Sequence, residues 1–110
     1  MRQKFDYESN DIDNNGNPAG GKIRVTGLTI DWQEGPLGRG ADRQEPNGAF
    51  VETVIAAAIN RINFYQTASG GKFACPENAT ALTHLETALL WLEKRTADRE
   101  ARAVEGTHAP

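Results

Sequence analysis

The sequence predicts an α+β fold, with a small N-terminal antiparallel β portion followed by a long antiparallel two-helix hairpin, assembled as an oligomer. Apolar residues alternate at strand spacing through KIRVTGLTIDWQ, then recur at steps of three and four over 51–96, where a Gly-Gly break divides the helical pattern in two. The oligomer follows from composition: 38% of the 110 residues are apolar, a low share for long helices, so association is expected to supply burial that one chain lacks.

Residues 1–21 read as a variable arm. Phe5 and Tyr7 alternate with polar neighbours, a pattern compatible with a short edge strand or with a disordered arm. DNNGNPAGG, residues 13–21, reads as a turn or flexible connection. Residues 22–110 read as one domain, with strands and a loop over 22–46 and a helical hairpin and tail over 47–110. Ile23 and Val25, then Leu28, Ile30 and Trp32, fall at strand spacing around Gly27, which makes a hairpin or a bulged strand. EGPLGRGADRQEPNG, residues 34–48, holds too many glycines and prolines for regular structure and leads to a helix start capped by Asn47.

The first helix is predicted over 48–66, where Val51, Val54, Ile55, Ala58, Ile59 and Ile62 repeat at helical intervals. TASGGK breaks it, and Gly70 and Gly71 allow the chain to reverse. The second helix is predicted to begin near Pro76, with Cys75 as N-cap and Glu77 facing the positive end of the dipole. Asn78, Leu82, Leu85, Leu89, Leu92 and Thr96 mark a coiled-coil-like seam that packs on the first helix or on another subunit.

Net charge is −3 and the isoelectric point is near 5.3, which argues against duplex nucleic acid as the main partner. The lone Cys75 forms no intrachain disulfide framework and no CxxC metal site; it reads as a small apolar residue of a reducing cytosol. No stretch reaches the apolar length of a membrane span and MRQKFDYESN lacks a signal-peptide hydrophobic region, so residence in the cytoplasm where the protein is made is expected.

A second stripe on the predicted second helix carries chemistry: His84, Ala88, Trp91, Arg95, Arg99 and Arg102. Arg95 and Arg99 are like charges one turn apart, which costs a few tenths of a kcal/mol on an exposed helix unless an anion sits there. Asp98 and Glu100 can supply that charge, so a solvated, dipole-complementing helix end is the plain alternative. No nucleophile beside a base, carboxylate pair or metal cluster is apparent, and no catalytic residue, metal or cofactor is expected. A noncatalytic nucleotide site asks for less. Arg95, Arg99 and Arg102 offer charge, Phe64, Tyr65 and Trp91 offer rings, and Asn78 both donates and accepts hydrogen bonds.

The run FACPENATALTHLETALLWLEKRTADREARAVEGTH, residues 73–108, resembles a phage family of cyclic-signal sponges, the Thoeris anti-defence proteins and the related anti-CBASS proteins. The likeness rests on Cys75, Glu77 and Asn78, then Arg95-Thr96, Arg99-Glu100, Arg102 and Val104-Glu105-Gly106-Thr107. Upstream, IDWQEGPLGRGADRQEPNGAFVETVIAAAINRINFYQ is similar to the Thoeris type, which has the strands that the anti-CBASS branch typically lacks. The resemblance implies a sponge domain over 22–110 that captures signals in the host cytoplasm without degrading them: glycocyclic ADP-ribose, cyclic dinucleotides or trinucleotides. It also implies self-association as a dimer and a hexamer built from dimers. By position it places Asn78 on the base or ribose, Phe64 or Tyr65 stacking, Arg95 on phosphate and Arg24 as a second phosphate ligand. Arg99 and Arg102 fall at a cyclic-oligonucleotide site or an interface. Pro76 departs from the family's usual arginine, and Ala103 replaces a usual glycine at a backbone position suited to positive φ. A noncatalytic helical-hairpin interaction protein is the alternative reading.

Overall fold

The computed structural model describes residues 4–110, so Met1, Arg2 and Gln3 of the expected arm lie outside the described residues. The chain divides into two compact units, one comprising the residues up to Phe50 together with Arg99–Pro110, the other Val51–Asp98.

The first unit is built on a three-stranded antiparallel sheet, β1 (Tyr7–Ile12), β2 (Pro18–Val25) and β3 (Leu28–Asp31), in that spatial order. The strand alternative for the first residues therefore holds for Tyr7 onward. A shorter turn than the expected one joins β1 to β2. Asp13 Oδ1 accepts the amides of Asn15 (2.8 Å) and Asn17 (3.0 Å), which closes the reversal by Asn17. Pro18–Gly21, expected in the connection, belongs to β2. Its glycines serve a strand irregularity: the register shifts between Asn10 and Ile12, and a Cβ on Gly21 would lie 2.2 Å from the Ser9 carbonyl oxygen. β2 and β3 form the hairpin around Thr26-Gly27, pairing Lys22 with Asp31 and Ile23 with Ile30. Ile23 and Ile30, opposite one another, are its buried apolar residues.

Asn47 does not cap the first helix, which begins three residues later than expected, as α1 (Val51–Gly71). The Asn47 side chain instead accepts from Glu34 N (2.8 Å) and donates to Glu34 O (3.0 Å), while its own amide donates to Gln33 Oε1 (2.8 Å). Ala49 then exchanges backbone hydrogen bonds with the continuation of β3, donating to Asp31 O and accepting from Gln33 N. These long-range bonds satisfy the backbone of 47–49 outside a helix and overrule the local capping signal.

In the second unit, Ala68, Ser69 and Gly70 leave helical dihedrals within α1, matching the predicted break. The second helix is α2 (Pro76–Ala101), beginning where predicted. Cys75 O accepts the first helical bond from Ala79 N, as an N-cap residue's carbonyl does, and the Gln66 amide brackets the Cys75 peptide, donating to its O (3.2 Å) and accepting from its N (3.0 Å). Half-buried positions form one stripe on each helix: Val54, Ile55, Ile59 and Ile62 on α1, Asn78, Leu82, Leu85, Leu89 and Leu92 on α2. Val51, Ala58 and Thr96, expected on these faces, are exposed.

Candidate functional site

The expected ligand residues fall into three groups with different local chemistry. Arg24, on β2, is committed to its own sheet. Its guanidinium donates to Ile23 O (2.9 Å), Ile30 O (2.8 Å) and Asp31 Oδ1 (2.8 Å), and Lys22 Nζ meets the same carboxylate oxygen at 2.8 Å. Hydrogen bonds from Arg24 first, then Lys22, hold the Asp31 carboxyl down at about 2.

Arg99, in the last turn of α2, and Arg102, which lies just past the helix end at Ala101 and not on the helical stripe expected for it, both bond to the segment that runs to Pro110. Arg99 is buried, 8% exposed, and donates to the carbonyls of Val104 (3.1 Å), Thr107 (3.0 Å), Pro110 (3.0 Å) and Ala109. Arg102 donates to Pro110 O (3.1 Å). Ordering this segment occupies the Arg99 fork that the sequence offered to a phosphate.

The Val104-Glu105-Gly106-Thr107 motif has a structural use in the same unit. Glu105 takes a two-pronged ion pair from Arg43 (2.7 and 3.1 Å), and its backbone carbonyl accepts from Arg39 (2.8 Å). Arg43 hydrogen bonding lowers the Glu105 carboxyl pKa. Gly38 N donates to Gly106 O, and a Cβ on Gly106 would lie 2.3 Å from Gly38 O, so the two loops approach too closely for a side chain. Neither arginine stood out in the sequence, because each is paired with a residue more than sixty positions away.

The remaining residues lie on the helices. Asn78 is half-buried in the first turn of α2. Trp91 is 66% exposed, and Arg95, one turn further along, is exposed with no hydrogen bond or ion pair among the described residues. Phe64 and Tyr65 are 51% and 41% exposed on α1, with centroids 5.9 Å apart. Arg61, which the sequence reading passed over, lies against both rings; its spacing of three and four residues from them was the available signal. Asn78 and Arg95 stand seventeen residues apart on one helix, about 25 Å along its axis. That exceeds the reach of one small ligand, so the structure does not bring these two together within a chain. Among the described residues, no group of three or more His, Cys, Asp and Glu side chains is placed to hold a metal ion, and no helix is long and apolar enough to cross a membrane.

A small antiparallel sheet preceding a helical hairpin, with exposed rings and, among the described residues, an unpaired Arg95 on the helices, defines a sheet-plus-hairpin protein. The Acb2/Tad1 hairpin-domain family matches residues 26–97, and the chain belongs to that family. It is 46% identical over 80 residues to Thoeris anti-defense 1 of Bacillus phage SBSphiJ7. The match covers 73% of this chain and 51% of the relative, so the chain spans about half the length of the protein it resembles.

Proposed function

We propose that this protein is a phage anti-defence protein that sequesters cyclic nucleotide immune signals in the host cytoplasm and returns them chemically unchanged. The observation that carries the reading is Arg95, exposed and unpaired among the described residues one turn from the exposed ring of Trp91, on a helix of the matched family domain. A guanidinium offers paired donors to phosphoryl oxygens, and an indole offers a face to a base. In this reading Phe64 or Tyr65 stacks on the ligand, Asn78 recognises base or ribose, and Arg95 takes phosphate.

The spacing along α2 favours two copies, with Asn78 of one and Arg95 of the other at a shared site. The proposed assembly is a dimer and, in its fuller form, a hexamer built from three such dimers. Arg99 joins a site only by releasing the segment after α2, whereas Arg102 spends one donor on Pro110 and Arg24 commits both terminal nitrogens to its sheet. Capture needs no chemistry: free signal falls when the protein is more abundant than the signal and binds it more tightly than the host effector does.

Calorimetric titration with glycocyclic ADP-ribose and with cyclic di- and trinucleotides tests this reading. Tight binding that Arg95→Ala weakens by about tenfold or more is the expected result. Heating the complex distinguishes capture from turnover, because a sponge releases intact ligand. The exposed Leu90 (65%) and Trp91 favour a second reading, a hairpin that serves only to associate with itself or another protein. That reading predicts no binding across the panel and no ligand-induced rise in thermal stability.

A further inference from the structure

The strongest unassigned feature is the Arg61, Phe64 and Tyr65 cluster on α1. The Arg61 guanidinium carbon lies 4.7 Å from the Phe64 centroid and 5.0 Å from that of Tyr65, and Nε donates to Tyr65 Oη at 3.2 Å. The two rings are tilted by 58°, so the guanidinium rests against two surfaces of different orientation. These contacts spend Nε and leave the four terminal N–H donors with no acceptor among the described residues. The ring contacts and the Nε bond restrict the rotamers of Arg61 while its fork stays open.

We propose that Arg61 is a phosphate-binding residue of the ligand surface on α1, gripping a phosphoryl group while the neighbouring rings carry the planar base. The proposal rests on the cyclic-nucleotide reading above and adds to it a specificity for ligands that join a ring to at least one phosphate. Three features of the cluster select that class. The open fork matches two oxygens of one phosphoryl group. Tyr65 Oη, which accepts from Arg61, keeps its own hydrogen to donate to a further phosphoryl oxygen or a ribose hydroxyl. The rings remain half-exposed after arginine stacking, leaving area for a base. A carboxylate from a second copy would satisfy the fork but would leave the ring area without a use.

The test titrates wild type, Arg61→Gln and Arg61→Lys with cyclic ADP-ribose, a cyclic dinucleotide and ADP at low and high salt, with thermal unfolding and sedimentation as controls. Arg61→Gln is expected to keep its folding and subunit state, to lose about tenfold in affinity for each phosphate-bearing ligand that wild type binds, and to show a weaker salt dependence. Arg61→Lys is expected to recover only part of the loss, because an ammonium lacks the planar fork. Unchanged affinity in Arg61→Gln would overturn the assignment and leave the sponge reading intact. A change in subunit state with unchanged affinity would overturn it in favour of a carboxylate between copies. Should wild type bind neither cyclic ligand, the sponge reading fails, and nitrogen NMR of the Arg61 guanidinium during ADP titration decides the residue separately. A shift there retains the phosphate role; none removes it.

Discussion

Ala103 shows how one side chain can be judged before and after folding. Its position, taken by glycine in the resembling family, suggested positive φ, and the residue stands at φ 58° just past α2. Val104 N donates to Arg99 O and Ala103 N to Glu100 O, the paired bonds of a left-handed helix ending. An alanine there carries strain that glycine lacks, partly offset by the larger unfolded-state entropy of glycine. Ala103→Gly is expected to raise stability by about 0.5–1 kcal/mol in denaturant melts. Asp31 makes a second prediction. Its carboxyl is depressed from 3.8 to about 2 by Arg24 and Lys22, so the ionised form is favoured in the folded state. The resulting stabilisation is complete above the unfolded value and is lost as pH falls through about 2. Carbon NMR of the Asp31 carboxyl should titrate near that value in the native protein, and in Arg24→Ala it should move back towards 3.8.

At the scale of elements, periodicity located both helices and the β2–β3 hairpin because each depends on near neighbours along the chain. The start of α2 at Pro76 was legible for the same reason. The start of α1 was not: Asn47 has the chemistry of a cap, yet Glu34 and Gln33 claim its polar groups from thirteen and fourteen residues away. The turn between helices depends on a contact that no composition rule offers, the Gln66 side chain closed on the Cys75 peptide. Gln66→Ala is expected to destabilise the protein by about 1–2 kcal/mol, since it removes two partly buried hydrogen bonds. Hydrogen exchange at the Cys75 amide should quicken in that variant more than exchange at mid-helix amides, which would separate loss of the clasp from general loosening.

For the whole molecule, the sparse apolar burial and the long separation of Asn78 from Arg95 bear on the same question of partnership. Asn78→Ala and Arg95→Ala are each expected to weaken signal binding by about tenfold or more, removing the high-affinity sites. Refolded together in equal amounts, they should regain roughly a quarter of the wild-type sites, because half of randomly formed dimers contain one site with both native side chains. Calorimetric stoichiometry measures this directly. No recovery would place the two residues at separate sites and would remove the shared-site arrangement from the proposed function.

The sequence by itself determined the two helices, the break between them and the identity of the family, since these reside in local spacing and in residues read directly along the chain, while it left Tyr7–Ile12 open between strand and arm. It also supplied most of the candidate ligand set, but without distinguishing a free guanidinium from an occupied one. Only the tertiary structure decided that Arg95 stands unpaired among the described residues, that Arg99 is enclosed by carbonyls of the following segment, and that Arg61 is held against two rings. The physical reason is that an arginine's availability depends on which acceptors the folded chain brings to its five donors, and local residue spacing leaves those acceptors unspecified.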